Sequence, residues 1–240
     1  MHALRLPNIG PIFRRELRSY FNSPVAYVVI VVFLGIIGWF FTSNLFLMNV
    51  ASLRVVFELV PLVFLFFVPA ITMRLLAEER KSGTLELLTT KPVRDVEIIL
   101  GKFLAAWALL AAALAPTLLY VVSVGLLGSL DPGPVFTGYL GLLLMGGVYV
   151  AIGLFASSLT ENQIVAFIIS FLIVLALFLM DKMLMYVPEA IASTMEFLSI
   201  DYHFSNIARG VIDSRNVIYF GSLGGIFLYL ATVSLERRKW

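Results

Sequence analysis

Glu78-Glu79-Arg80-Lys81 reverses sign within about one helical turn, and Ser82-Gly83-Thr84 follows at once. Carboxylates and cations this close, ahead of a helix break, suit two tasks. They can grip a charged partner surface, or they can simply keep a loop solvated. Little else in the chain offers chemistry. Glu58 and Asp181 are the acids placed inside apolar runs, and both fall near the outer ends of those runs. Ion-coupled carriers generally need carboxylates or histidines at mid-depth, which argues against a proton- or sodium-driven cycle. His203 has only His2 for company, in a distant part of the chain. A lone histidine between Tyr202 and Phe204 reads as a hydrogen-bonded interfacial residue, not as a metal ligand. There is no cysteine, hence no disulfide framework and no thiolate site. His-Glu-x-x-His, Gly-x-Ser-x-Gly and a Gly-rich dinucleotide loop are all missing. Gly101-Lys102 runs into Phe103, and Val96 stands where a phosphate loop needs its first glycine. The sequence thus points to no catalytic residue, no metal and no cofactor. If ATP drives this protein, the ATPase is a separate subunit.

The elements that carry these residues belong to a membrane. Of 240 residues 60% are hydrophobic and 13% charged, with a mean hydropathy of +0.98, where a soluble domain runs nearer a quarter charged. A hydrocarbon core of about 30 Å needs roughly 20 apolar residues per helix. Runs of that kind lie near Pro24–Leu47, Val55–Leu76, Ile98–Leu127, Val135–Leu159, Ile164–Met185 and Asn216–Leu235. No strand-period alternation is present to make a lipid-embedded barrel. The expected fold is an all-α membrane protein with six transmembrane helices, and residues 1–240 form a single transmembrane domain. A net charge of +2 is too small to argue for nucleic acid.

The placement of charge orients the chain. With the N-terminus, the 74–102 loop, the 159–163 turn and the C-terminus on one side, thirteen of the seventeen basic residues share it. Arg54, Lys182, Arg209 and Arg215 fall opposite. The positive-inside rule makes the richer side cytoplasmic, with both termini there. The first apolar run is too long for a cleavable leader and reads as a permanent anchor. Ahead of it, residues 10–23 are amphipathic. Phe13, Leu17, Tyr20 and Phe21 form one stripe and Arg14, Arg15 and Arg18 group beside it. That is how a helix lying on a leaflet is made, with rings in the interface and arginines toward lipid phosphate. Asn22-Ser23-Pro24 offers the break before the first span. Pro61, Pro69 and Pro116 mark either ordinary kinks or hinges. Gly147-x-x-x-Ala151 and Gly153-x-x-x-Ser157 in the fourth span allow close helix packing within the bundle. Residues 187–215 read as an extracytoplasmic cap of two short, half-apolar helices, re-entrant or surface-lying, with a start at Pro188-Glu189, Asp201 as a cap and an end near Gly210.

The island itself, residues 77–91, sits between the second and third spans. Thr84-Leu85-Glu86-Leu87-Leu88 can form one or two turns before Lys91-Pro92 ends them, and Asp95 then caps the third span with Glu97 in its first turn. A short transverse helix with leucines for a groove, and a merely solvated loop, both fit these residues.

The stretch Met73-Arg-Leu-Leu-Ala-Glu-Glu-Arg-Lys-Ser-Gly-Thr-Leu-Glu-Leu-Leu-Thr-Thr-Lys-Pro-Val93 resembles the cytoplasmic loop of ABC-2 type transporter permeases, and Glu97-Ile-Ile-Leu-Gly-Lys-Phe103 resembles that family's entry into its third helix. Residues 201–220 are similar to a subgroup associated with bacterial gliding motility and related export systems. The resemblance runs from Phe13-Arg14-Arg15-Glu16-Leu17 to the basic terminus. It implies an interfacial N-terminal helix bearing Phe13, Arg14, Arg15, Leu17 and Arg18, a coupling helix between helices 2 and 3, and short extracytoplasmic helices before helix 6. It assigns ATPase coupling to Glu78, Glu79, Arg80, Lys81, Ser82, Gly83, Thr84, Leu85, Glu86, Leu87, Leu88 and Thr90. The expected partners are two ABC ATPase subunits, a second permease subunit, identical or homologous, and membrane lipid. The expected setting is the bacterial cytoplasmic (inner) membrane. The expected activity is that of an exporter's transmembrane subunit, and not an enzyme. The alternative is a non-transporting component of an ATPase-driven envelope or motility machine.

Overall fold

The computed structural model describes residues 8–47, 52–84, 93–128, 130–186 and 188–237. Among these residues the regular structure is helical, with no strand. Helix α1 (Ile9–Asn22) precedes α2 (Pro24–Leu47), and α3 (Arg54–Thr72) leads into α4 (Arg74–Lys81). Helix α5 (Asp95–Leu114) continues through a 3₁₀ turn at Ala115–Thr117 into α6 (Leu118–Leu127). Then come α7 (Pro132–Leu159), α8 (Gln163–Met183), the short α9 (Glu189–Leu198) and α10 (Ile200–Ala208), and α11 (Ser214–Glu236). Six stretches are long and apolar enough to cross a membrane: α2, α3 with α4, α5 with α6, α7, α8 and α11.

Helix α7 is the axle. Within its apolar stretch 78% of residues are buried inside the protein, against 22% for α2, α8 and α11, whose remaining surfaces are the ones available to lipid. Close approach explains the burial. Its small residues leave room for neighbours: the Phe57 ring lies over Gly138, Phe204 and Ile207 over Gly141, and Leu110 over Gly146. The Trp107 indole donates to the Leu143 carbonyl at 2.8 Å, which ties α5 to the same axle. Small residues that admit a neighbouring helix are how bundles pack where lipid is as apolar as leucine.

The prolines act unequally. Helix α3 continues through Pro61 and Pro69 and ends at Met73, whose amide still bonds to the Pro69 carbonyl. Pro116 does interrupt its span, and the Thr117 hydroxyl both donates to the Leu114 carbonyl at 2.6 Å and meets the Tyr139 hydroxyl at 2.9 Å. At the other end of the molecule α9 and α10 form a hairpin that dips into the bundle. Ser199 at its tip is fully buried, and the Tyr219 hydroxyl donates to the adjacent Leu198 carbonyl at 2.6 Å. Tyr219 lies five residues into α11, so the tip sits roughly 8 Å along that helix from its start.

Candidate functional site

The site is the junction where α1, α4 and the first turns of α5 meet, beside the point where the chain leaves for residues 85–92. Its centre is Lys102. Seven residues into an apolar helix, the side chain is only 1% exposed, and an unpaired ammonium so placed would cost several kcal/mol, on the order of 5. Two carboxylates answer it: Glu79 from α4 at 2.9 Å and Glu16 from α1 at 3.3 Å. Arg15 completes the group, bonded to Glu16 at 2.8 Å and to Glu79 at 3.4 Å. Four charges of zero net sign therefore join three elements.

Local sequence puts them there. Helix α1 is laid across α5 with Ile12 facing Gly101, where any added Cβ would stand 2.6 Å from the Ile12 side chain. Glycine at 101 is thus the notch that lets α1 approach, and Glu16, one turn on from Ile12, is carried to Lys102. The start of α5 holds the other end of α1. Glu97 accepts from the Asn8 side chain at 3.0 Å, from the Asn8 amide at 3.2 Å and from the Arg94 amide at 3.0 Å. Tyr20 donates to the Ile71 carbonyl at 3.3 Å. Burial, aided by the charge on Glu16, pushes its phenol above the ordinary tyrosine range, so it stays a donor at neutral pH.

The stem of the island is clamped from behind. Where α3 gives way to α4, the Ser157 hydroxyl of α7 accepts from the Leu76 and Ala77 amides at 3.0 Å each and donates to the Met73 carbonyl at 3.0 Å. One hydroxyl thereby satisfies the backbone at the break, and Gly153, a turn before it, makes room for Thr72. The Gly153-x-x-x-Ser157 spacing does pack the bundle, and it also serves this bend.

Of the residues singled out in the island, Glu78 pairs with Arg74 one turn earlier at 2.9 Å on the surface, Glu79 enters the network, Arg80 is half-buried, and Lys81 is exposed. Ser82, Gly83 and Thr84 form a tight turn: the Ser82 and Thr84 hydroxyls meet at 2.9 Å and bond back to α4 carbonyls, and Gly83 takes a φ of 69°, which favours glycine. Leu85, Glu86, Leu87, Leu88 and Thr90 lie outside the described residues. On α1, Arg14, Arg15 and Arg18 are exposed, while Phe13 and Leu17 are half-buried.

Three sequence expectations change. Asp95 does not cap α5; Arg94 takes the extended cap position and Glu97 reaches back to its amide. Asp201 does not cap α10; Ser199 does, freeing Asp201 to bind Lys182 at 2.7 Å. His203 is buried instead of interfacial, bonded to Asn216 at 2.7 Å and to the Phe197 carbonyl at 2.9 Å, and stacked on Tyr219. Residue type alone does not mark Glu16, Gly101 and Lys102 as one site. The available signal was Lys102 itself, a cation well inside an apolar run, which needs a carboxylate from somewhere. No metal-holding group of histidines and acids occurs among the described residues.

A family model described as ABC-2 family transporter protein matches residues 42–200, well over half of the chain. The chain belongs to that family. The match names no subgroup, and no curated protein matches the chain. The ABC-2 stretch contains Glu79, Lys102 and Ser157, whereas α1 with Arg15 and Glu16 lies before it.

Proposed function

We propose that this ABC-2 protein is the permease subunit of an ATP-driven exporter in a bacterial cytoplasmic membrane, working as a pair of permeases with two separate ATPase subunits. Both termini and the island face the cytoplasm, and α1 lies along that leaflet with Arg14 and Arg18 toward lipid phosphate. Residues 78–90 receive the ATPase. The observation that carries this reading is the network around Lys102. A lever that only flexed its own loop would do no work on the bundle. Here Glu79, on the last turns before the loop, is bonded to α5 and α1 together, and Ser157 fastens the same stem to α7. A push on the loop is therefore delivered to three elements at once, which tilts the second and third spans as a unit against the lipid-facing helices. Charged groups at mid-depth of the spans are few, which favours an amphipathic or lipid-linked cargo over an ion.

The test is ATPase co-purification and permease-dependent hydrolysis for Glu86→Ala and Gly83→Pro. Truncating one member of a docked, desolvated charge pair costs about 2–5 kcal/mol, against roughly 0–1 kcal/mol for a solvated one. Glu86→Ala should weaken association. Gly83→Pro, which cannot take the positive φ found there, should uncouple hydrolysis altogether. Wild-type values in both variants, at normal expression, would reduce the island to a solvated loop.

A further inference from the structure

Beside the Lys102 network lies a cavity of about 580 Å³, within the size range of small-molecule sites. It runs along α3 and α4 from Ala70 to Ser82, twelve residues and so roughly 18 Å. Its two ends differ in kind. Toward the loop it is lined by three cations, Arg15, Arg74 and Lys102, and three carboxylates, Glu16, Glu78 and Glu79. Toward the bundle it is lined by Ala26, Val29, Ala70, Ile71 and Leu109. A polar end at the level of α1 and an apolar end among the first turns of α2 match the cross-section of one membrane leaflet.

We propose that this cavity binds a single phospholipid of the leaflet on the α1 side, with a zwitterionic headgroup ending in a primary ammonium. Three observations select that class. Among the described residues the lining charges sum to zero, with both signs interspersed, which suits a headgroup carrying both phosphate and ammonium and gives an anionic lipid no net attraction. Glu79 keeps Oε2 buried with no hydrogen-bond partner among the described residues, although Oε1 serves Lys102 and Arg15. A buried carboxylate oxygen left bare is costly, and an N–H donor on a ligand would relieve it. Finally, among the described residues Tyr20 is the one aromatic in the lining, so they form no cage of rings of the kind that recognises a quaternary ammonium. The phosphate then falls to Arg15 and Arg74, whose side chains are 52% and 37% exposed, and one acyl chain to the apolar end.

The proposal is independent of the ATPase, and so is its test. The full chain is placed in nanodiscs holding equal amounts of phosphatidylethanolamine, its N-monomethyl form, phosphatidylcholine and phosphatidylglycerol, then stripped and weighed by native mass spectrometry. One retained lipid is expected, with phosphatidylethanolamine favoured over phosphatidylcholine by about tenfold, the worth of one charge-assisted hydrogen bond, and the monomethyl form between them. Glu79→Gln should erase that discrimination. Ala70→Phe, which fills the apolar end and touches no charge, should lower retention of every lipid alike. Should Glu79→Gln fail to fold, the methylation series on the wild-type chain decides alone. Equal retention of the two zwitterions, preference for phosphatidylglycerol, no retained lipid, or a second copy of the chain in its place would each overturn the assignment.

Discussion

The two ends of the molecule bury polar groups in opposite ways. At the loop end the buried group is an ion, Lys102, held between carboxylates from two other helices. At the hairpin end the buried groups are bonded to an amide and to backbone carbonyls, with no carboxylate among the partners named: His203 between Asn216 and the Phe197 carbonyl, and Tyr219 on the Leu198 carbonyl, within a cluster of rings. The charged pair there, Lys182 with Asp201, keeps the lysine 55% exposed. A polar network whose members are all bonded holds one arrangement. A buried ion network gains little over well-packed apolar side chains, and loses heavily when one member goes. The hairpin end is thus built as a plug, and the loop end as a joint whose parts must stay together.

The largest effect should come from stripping the joint of its acids. Glu16→Gln with Glu79→Gln leaves Lys102 buried and uncompensated, which should destabilise the purified protein by about 3–5 kcal/mol and release α1 from α5. Adding Lys102→Met should restore most of that loss, since the charge that needed company is then gone. Thermal unfolding in detergent measures both. Release of α1 can be read directly, because the chain is free of cysteine: Ile12→Cys, buried against Gly101, should be slow toward a thiol reagent and become fast in the double variant. A triple variant no more stable than the double would show that the network is not governed by the lysine's burial.

A middle-sized effect compares one hydrogen-bonding group at each end. Ser157→Ala removes the hydroxyl that serves two amides and a carbonyl at the α3–α4 break. His203→Phe keeps the ring stacked on Tyr219 but leaves Asn216 and the Phe197 carbonyl without it. Each should cost about 1–3 kcal/mol, the penalty of buried polar groups left unpaired. Their functional consequences should differ. Ser157→Ala acts on the stem of the island and should lower permease-dependent ATP hydrolysis at a temperature where both variants remain folded. His203→Phe should leave hydrolysis near wild type. Equal losses of hydrolysis would erase the distinction between joint and plug.

The spans were legible in the sequence because hydropathy and length decide them. The apolar run Pro24–Leu47 coincides with α2, and the other five runs fall within a few residues of the helices found. Their ends were less legible, since end positions depend on particular bonds. Asp95 has the residue type of a cap, but Glu97 is fixed by Asn8, which lies 89 residues away in sequence, and Arg94 takes the cap position with Asp95 as the first helical residue. The joint was the least legible. Glu16, Glu79 and Lys102 sit on three elements, and the docking of α1 into the Gly101 notch brings Glu16 to 3.3 Å from the Lys102 ammonium that Glu79 meets at 2.9 Å. Of the island's described charges, Glu78 and Lys81 are exposed and Glu79 and Arg80 are half-buried. The buried member was a lysine embedded in an apolar run.

The smallest effect sharpens the contrast among ion pairs themselves. Arg54 and Glu58 are 2.7 Å apart on successive turns of α3, a better distance than any pair in the joint, but their side chains are 83% and 62% exposed. Water and ions screen them, and holding two long side chains in one geometry costs entropy, so a coupling of only about 0.3–0.5 kcal/mol is expected. Lys182 and Asp201, also at 2.7 Å, differ in that Asp201 is only 14% exposed and belongs to the hairpin while Lys182 ends α8. That pair ties two elements together and should couple by about 1 kcal/mol, the upper end for partly solvated pairs. Double-mutant cycles with Arg54→Ala and Glu58→Ala, and with Lys182→Ala and Asp201→Ala, measure both by thermal unfolding at low and high salt. Added salt should abolish the Arg54–Glu58 coupling and reduce the Lys182–Asp201 coupling, while leaving the Lys102 network nearly unchanged because ions do not reach it. A strong salt dependence of the Glu16–Lys102–Glu79 coupling would mean that the joint is open to solvent, and the difference between the two ends would then be one of degree only.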